Sequence, residues 1–459
     1  MSVPVVAIFD IGKTNKKLFL FDEHYHVVLE KNAQFEETRD EDGDACENVA
    51  QLTAWVKEQL DEVVSQFDVK AVNFTTYGAS FVHIDDKGRV VTPLYNYLKP
   101  YPQPVSDAFF SRYGGEVAVS RATASPVLGS LNSGLQLYRI KQLKSLIYSR
   151  IKWSLHLPQY ISFLITNKTI SDITSIGCHT QLWDFDKNTY HQWVIAEGID
   201  KKLAPIAPSD SVVPVTVHGK ELQVGGGLHD SSSALIPYLA CFSEPFVLLS
   251  TGTWCISLNP FNANPLTPEE LAQDCLCYME YHGKPVKASR LFAGNEHEIQ
   301  TKKLSAKFNK PLDHFKEVEF NPDMIASIQP APKPRPGEEV EGLAKSAFYL
   351  RDLDDFTSYE EAYHCLISDI MELQKTSAQL VIQDTGVKRI FVDGGFSKNP
   401  VYMHLLAQAF PKMEVFAASV AQATAVGAAL AVHKHWNHKP LPGDLIEMKY
   451  YRVAQNMEI

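Results

Sequence analysis

Val5-Val6-Ala7-Ile8-Phe9-Asp10-Ile11-Gly12-Lys13-Thr14-Asn15-Lys16-Lys17-Leu18-Phe19-Leu20-Phe21 is an apolar run, a tight polar turn and a second apolar run. Strand-forming residues fill both arms, so the stretch predicts a β-hairpin. Its turn region holds one carboxylate, one glycine, two small polar side chains and three lysines, a mixture that suits a magnesium-phosphate group. Gly12 lets backbone N–H groups approach an anion closely, and Asp10 at the strand end can hold the metal directly or through water. An ordinary hairpin with a polar turn is the competing reading of this stretch alone.

Half a chain later, Pro245-Phe246-Val247-Leu248-Leu249-Ser250-Thr251-Gly252-Thr253-Trp254-Cys255-Ile256-Ser257-Leu258 repeats the plan of strand, Gly/Thr turn and strand. Two phosphate hairpins, one opening each half, are what a nucleotide clamped between two similar domains requires. The 459 residues suit two domains of about 200 to 250 residues each. The expected division is 1–240 and 241–459.

Composition narrows the function classes. A hydrophobic share of 45% with 21% charged residues is ordinary for a globular protein. No apolar run approaches the roughly 20 residues that span a bilayer, so no membrane partner is expected. The start, Met1-Ser2-Val3-Pro4, carries no export pattern, and cytoplasmic residence is the expectation. Seven cysteines form no CxxC pair and suggest no disulfide framework, and the sixteen histidines show no zinc-site spacing. The net charge of −11 argues against nucleic acid and favours a small-molecule partner bound at a locally built phosphate site.

Along the chain, the acidic segment from Glu36 to Glu47 reads as a solvated connector. Val49 to Phe67 reads as an amphipathic helix, with Val49, Leu52, Trp55, Val56, Leu60 and Val63 on one face. Val69 to Phe74 is an expected strand ending in Thr75-Thr76-Tyr77-Gly78, and ligands collect at such strand ends in α/β folds. Phe81 to Val91 reads as a hairpin turning at Asp85–Gly88, and Leu135 to Tyr148 as one helix. Ser171–Ser175 reads as a cap or turn. Gln329 to Gly337 is proline-rich and reads as a surface loop. Tyr359 to Ile382 is an expected long helix. Lys388 to Val392 is a strand leading to Gly394-Gly395 and to Asn399-Pro400, a helix cap followed by a first helical position. Ala421 to His433 is an Ala-rich helix whose Gly427 should pack closely on a strand or ligand.

Asp230 is the sharpest catalytic candidate. It follows Gly225-Gly226-Gly227-Leu228-His229 on a tight strand-to-helix turn, where it can accept a proton from a hydroxyl attacking a γ-phosphate. The competing reading is a helix cap by Asp230 or Ser231. The Gly394-Gly395 turn can bring backbone against adenine or ribose, or can be a turn without ligand.

Taken together, Asp-x-Gly-x-Thr at the start, Gly-Gly-x-x-His-Asp in mid-chain, Ser-Thr-Gly-Thr-Trp after it, then Val-Asp-Gly-Gly-x-x-x-Asn and Ala-Thr-Ala-x-Gly-Ala-Ala resemble the FGGY carbohydrate kinases over nearly the whole chain. His229-Asp230-Ser231, Ser250–Trp254 and Thr75–Gly78 are most similar to the L-fuculokinase and L-rhamnulokinase branches. The resemblance implies an α/β fold of two ribonuclease-H-like, actin/hexokinase-type domains with a nucleotide cleft between them, ATP and Mg2+ in the cleft, and closure on sugar binding. It implies phosphorylation of the C1 hydroxyl of a 6-deoxy-ketohexose, L-fuculose or L-rhamnulose, by a monomer or homodimer. By position, Asp10 serves the metal, and Gly12, Thr14, Lys17, Gly252 and Thr253 the phosphates. Gly394, Gly395 and Asn399 fall near adenosine, and Tyr77, Gly78, His229 and Asp230 hold the sugar, with Asp230 as the base. The sequence departs from the family pattern at Lys13, Ser80, Tyr97, Tyr101, Ser368 and Phe396. A pentulose kinase for xylulose or ribulose and a non-catalytic sugar- or nucleotide-sensing relative are the alternatives.

Overall fold

The computed structural model describes residues 3–330 and 346–452. The opening stretch forms its hairpin, β1 (Pro4–Ile11) and β2 (Lys16–Phe21), with Asp10 opposite Lys17, and β3 (Val27–Ala33) continues the antiparallel run. α1 (Val49–Gln66) then crosses to β4 (Asp68–Thr76), which lies parallel to β1 on its other side. β1 is buried on both faces, and its side chains divide with period two. Val5, Ala7, Phe9 and Ile11 pack with Leu52, Val56 and Leu60 of α1, whereas Val6 and Ile8 join a second apolar cluster on the opposite face.

Several expectations are corrected in the segment that follows. The acidic connector is not loose: the buried Lys99 reaches Asp40 at 2.6 Å, Asp42 at 2.9 Å and Asp44 at 2.5 Å. β5 (Phe81–Ile84) turns at Asp85–Gly88, but its return arm makes only the bridge Ile84–Val90. The expected helix from Leu135 divides into α2 (Ser133–Leu143) and α3 (Ser145–Arg150) because Lys144 leaves helical geometry, at φ −133° and ψ 53°. The full partner of β5 is β6 (Trp153–His156), brought beside it by α2 and α3 and followed by α4 (Leu157–Thr166). In the Ser171–Ser175 cluster, Asp172 caps a helical turn by accepting from Thr174 N at 2.9 Å.

β7 (Val212–Val217) and β8 (Lys220–Gly225) form the antiparallel end of the first sheet, with β8 parallel to β4. The two-residue strand β9 (Leu228–His229) pairs with the end of β4 and runs directly into α5 (Asp230–Cys241). Strand order in this sheet is β7-β8-β4-β1-β2-β3.

The second half repeats the arrangement. β10 (Phe246–Thr251) lies between the antiparallel β11 (Cys255–Asn259) and a parallel strand, as β1 lies between β2 and β4. β12 (Cys275–Met279) and β13 (Pro285–Leu291) extend one side. α6 (Ala293–Phe308) and the long α7 (Tyr359–Ile382) cover one face, and then comes the parallel partner β14 (Arg389–Gly394). α8 (Pro400–Ala409) starts as expected, with Asn399 Oδ1 accepting from Tyr402 N at 3.1 Å. β15 (Glu414–Ser419), α9 (Ala423–Ala431) and β16 (Glu447–Tyr451) complete it, giving the order β12-β13-β11-β10-β14-β15-β16. In the proline-rich segment, residues 331–337 lie outside the described residues. Among the described residues no helix is long and apolar enough to cross a membrane.

α9 joins the halves, and the partner of Gly427 is a helix rather than a strand or ligand. A Cβ on Gly427 would stand 1.8 Å from Ser233 O on α5. Ser233 Oγ donates to Thr424 O at 2.7 Å, and Asn73 Nδ2 of β4 donates to Ala428 O at 2.8 Å. Beyond α9, His433 Nδ1 meets Tyr25 OH at 2.5 Å and Asn437 donates to Glu23 O at 2.9 Å, so the segment after α9 is fastened to the turn between β2 and β3. Gly427→Ala is expected to destabilise the protein by about 3 kcal/mol, because the obstacle is backbone and no side chain can swing aside. An unchanged urea midpoint would show that the two helices can slide apart freely.

Candidate active site

Three parallel strands, β1, β4 and β9, end side by side. Asp10 is opposite Thr75, Leu228 is opposite Thr75, and His229 is opposite Thr76. The chain leaving each strand therefore delivers Asp10, Tyr77-Gly78 and Asp230 to one edge of the sheet, the edge where open α/β sheets bind ligands. The hairpin turn begins there too, closed by Gly12 N donating to Asn15 O at 2.9 Å. Gly78 lies against the His229 ring: a Cβ at position 78 would be 2.8 Å from its Cδ2 and Nε2. Tyr77 is buried, its hydroxyl donates to Glu47 at 3.3 Å, and Tyr97 meets its ring edge-on at 6.0 Å.

Asp230 does not cap α5 through a distant amide. It is the first helical residue, and its Oδ1 accepts from the adjoining Ser231 N at 2.6 Å, while Oδ2 has no protein partner among the described residues. Its side chain keeps 33% exposure, so it faces a cleft. Desolvation nevertheless pushes its pKa up to about 6, against the opposing bonds from Ser231. His229 is buried and held down to about 3, so it stays neutral. Asp10 is also raised to about 6, first by burial and further by the charge of Asp230, with the Thr424 hydrogen bond and Lys17 acting against. Thr424 Oγ1 of α9 donates to Asp10 Oδ2 at 2.7 Å and leaves Oδ1 without a protein partner among the described residues. Oxygen donors on two mutually repelling carboxylates fit a hard divalent cation such as magnesium.

Across the molecule, Thr251, Gly252, Thr253, Gly294, Gly395, Phe396 and Asn399 line a cavity of about 560 Å3, completed by His297, Glu298, Phe315, Lys316, Lys398 and Pro400. That volume lies in the range of small-molecule sites. Its wall depends on glycine: a Cβ on Gly294 would stand 1.8 Å from Gly252 O. Next to the wall, a Cβ on Gly394, at φ +88°, would stand 1.9 Å from Thr251 O.

Of the expected phosphate and adenosine residues, Gly252, Thr253, Gly395 and Asn399 line this cavity, whereas Gly12, Thr14, Lys17 and Gly394 do not. Thr14 is exposed at the hairpin turn, and Lys17 pairs with Glu30 at 3.3 Å. Asn399 spends its side chain on capping α8 and on Tyr363 OH, at 2.7 Å. The substituted Phe396 forms part of the cavity, stacked on Tyr402 at 4.5 Å. Sequence reasoning missed Phe315 and Lys316, which sit in a segment without a glycine or motif signal, and missed Gly294 and His297, although the glycine three residues before His297 was visible. It also passed over Thr424, although the Ala-Thr-Ala pattern holding it was visible.

Comparison with known proteins bears on the same elements. The model of the FGGY family of carbohydrate kinases, N-terminal domain, matches residues 5–236, and two models of the FGGY C-terminal domain match residues 243–337 and 300–434. A rhamnulokinase of Halalkalibacterium halodurans is 24% identical over 266 residues, 54% of this chain and 52% of the relative. An L-fuculokinase of Salmonella typhi is 22% identical over 282 residues, 55% of this chain and 56% of the relative. The chain thus spans about half the length of the curated relatives it matches. The structure of a carbohydrate kinase from Novosphingobium aromaticivorans superposes with a TM-score of 0.81 at 23% identity, covering 99% of this chain and 95% of that one.

Proposed function

This chain belongs to the FGGY family of carbohydrate kinases, and we propose that it transfers the γ-phosphoryl group of ATP to the C1 hydroxyl of a 6-deoxy-ketohexose, L-fuculose or L-rhamnulose. The observation that carries the reading is the placement of Asp10 and Asp230 at the ends of the two strands that flank the end of β4, in a family whose members phosphorylate sugars. Asp230 Oδ2 accepts the hydroxyl proton as the oxygen attacks phosphorus, a role suited to a carboxylate whose pKa has been lifted towards neutrality. Asp10 would hold Mg2+, which would neutralise charge on the phosphates. Gly252 and Thr253 take the phosphates, and Gly395 with Phe396 and His297 encloses adenosine. Tyr77, Gly78 and His229 hold the sugar, while the role in phosphate binding assigned to Gly12, Thr14 and Lys17 rests on their place in the hairpin.

The relatives carrying rhamnulokinase and L-fuculokinase names support the substrate class. The aromatic pair Tyr77 and Tyr97 supports it physically: the Tyr77 hydroxyl is taken up by Glu47, so its ring offers a methyl group an apolar wall. ATP consumption across L-fuculose, L-rhamnulose, xylulose, ribulose and hydroxylated ketohexoses tests the reading. A 6-deoxy-ketose is expected to give the highest kcat/KM. Preference for a pentulose would overturn the substrate assignment, and no ATP consumption with any ketose would overturn the activity.

The proposed base also sets the pH dependence. Below about pH 6 Asp230 is protonated and cannot accept a proton, so kcat/KM for the sugar should rise with pH through about 6 and level off above it. Neutral His229, with a pKa near 3, does not contribute to that limb. A profile flat from pH 5 to 8 would remove Asp230 from the role.

A further inference from the structure

Beside the base lies a cluster of which the proposed reaction uses only His229, for the sugar. Cys178 and His179 adjoin in sequence, and His229 arrives from 51 residues away, so that one ligand atom from each lies within 4.8 Å of the others. Cys178 Sγ is 3.1 Å from His229 Nε2. The Nδ1 of His179 faces Leu131 O at 3.2 Å; that bond places a proton on Nδ1 and leaves Nε2 with its lone pair outward, the arrangement by which metal-ligating histidines are oriented. His179 holds a backbone φ of +39°, in the left-handed region that side chains other than glycine rarely enter. The buried His229 leaves its Nδ1 without a hydrogen-bond partner. Tyr278 stacks on the His229 ring at 5.8 Å, and Gly78 packs so closely that a Cβ there would stand 2.8 Å from the ring's Cδ2 and Nε2.

We propose that Cys178, His179 and His229 form a binding site for a soft divalent cation, suited to zinc, and that filling it shuts off the adjoining base. One thiolate and two imidazoles are a zinc ligand set with a fourth position open. Tetrahedral bonds of about 2.3 Å to sulfur and about 2.0 to 2.1 Å to nitrogen put S and N roughly 3.6 Å apart. The observed 3.1 Å therefore requires only a sub-ångström spreading. On binding, the Cys178 S–H bond breaks, the sulfur–metal bond forms, and the proton passes to solvent. The half-buried His179 and the cleft-facing Asp230 mark a way in. Asp230 Oδ1 is 3.2 Å from His229 Nε2, so a cation on His229 stands against the base and supplies an attraction that competes with its proton acceptance. Magnesium does not fill this site, because it selects oxygen ligands. The site itself is independent of the activity; its link to turnover rests on the sugar-kinase reading.

The test is a titration of the metal-free full-length protein with Co2+ alone, followed by Zn2+. One equivalent of Co2+ should produce a thiolate-to-cobalt charge-transfer band, release one proton measured with an indicator dye in weak buffer, and be displaced by Zn2+. Cys178→Ser should abolish the band, and His179→Asn should weaken binding by about 10- to 100-fold. Circular dichroism establishes whether Cys178→Ser is folded. If it is not, the His179→Asn affinity and the wild-type thiolate band decide. Absence of that band in the wild type, its persistence in folded Cys178→Ser, or unchanged affinity in His179→Asn overturns the site. In a separate kinase assay with excess Mg2+ and saturating sugar and ATP, Zn2+ should lower kcat, as the loss of the base does. Cobalt binding without such a fall in kcat on adding Zn2+ overturns the link to the base while leaving the site standing. A protein that consumes no ATP with any ketose refutes the activity and not the site.

Discussion

Asp230→Asn is expected to lower kcat by about 10²- to 10⁴-fold, the usual contribution of a positioned general base. The amide matches the carboxylate in size and keeps an oxygen to accept from Ser231 N, now at 2.6 Å, so α5 should start where it does in the wild type. What it loses is the capacity of Oδ2 to take a proton. Sugar and ATP affinities, measured by calorimetry, should change little, because the loss belongs to the transition state. Turnover within a few-fold of wild type would return Asp230 to the role of a helix-start residue. The acid limb of the residual activity should move to lower pH, because Asp10 still titrates and has lost the Asp230 charge that helps raise it.

Replacement of Asp10 by Asn should cost at least about 10²-fold in turnover, since metal stabilisation of transferring phosphates amounts to several kcal/mol and each 1.36 kcal/mol is tenfold. The variant should need more Mg2+ for half-maximal rate while its sugar affinity stays near wild type. Thr424→Val gives a graded companion. It removes the hydrogen bond that holds the Asp10 pKa down, so the carboxyl should titrate above its present value of about 6 and Mg2+ activation should shift to higher pH. An Asp10→Asn enzyme with unchanged Mg2+ dependence would refute the metal role.

What could be read from the chain alone was what neighbours in sequence determine. The two hairpins, the helix Tyr359–Ile382 and the Asn399 cap all depend on contacts within a few residues, and each stands where its pattern placed it. Leu135–Tyr148 looked like one helix because Lys144 is a good helix former. The pairing of Lys144 with Glu41 and with Asp42 at 3.2 Å, more than a hundred residues away, is invisible to periodicity. The same holds at the site. Asp230 and Gly78 advertise themselves through local glycine and strand-end patterns. Thr424 meeting Asp10, or His229 meeting Cys178, is decided by how the strands are ordered in the sheet. The cap reading of Asp230 lost ground for a local reason that only coordinates supply: its carboxylate turns to its immediate neighbour, not to an amide two or three residues on.

The seam made by α9 has a consequence for biosynthesis. The apolar cluster under it draws Val6, Ile8, Phe19 and Ala71 from the first half and Ala425, Ala428, Val432 and Trp436 from the last thirty-five residues described. A ribosome adding about 5 to 20 residues per second needs roughly 10 to 40 s to go from residue 241 to Trp436. Throughout that interval the finished first half carries an uncovered greasy face. A nascent chain stalled before α9 is therefore a natural client for chaperones, and a fragment ending near residue 240 should be poorly soluble by itself yet rescued when the remaining half is made in the same cell.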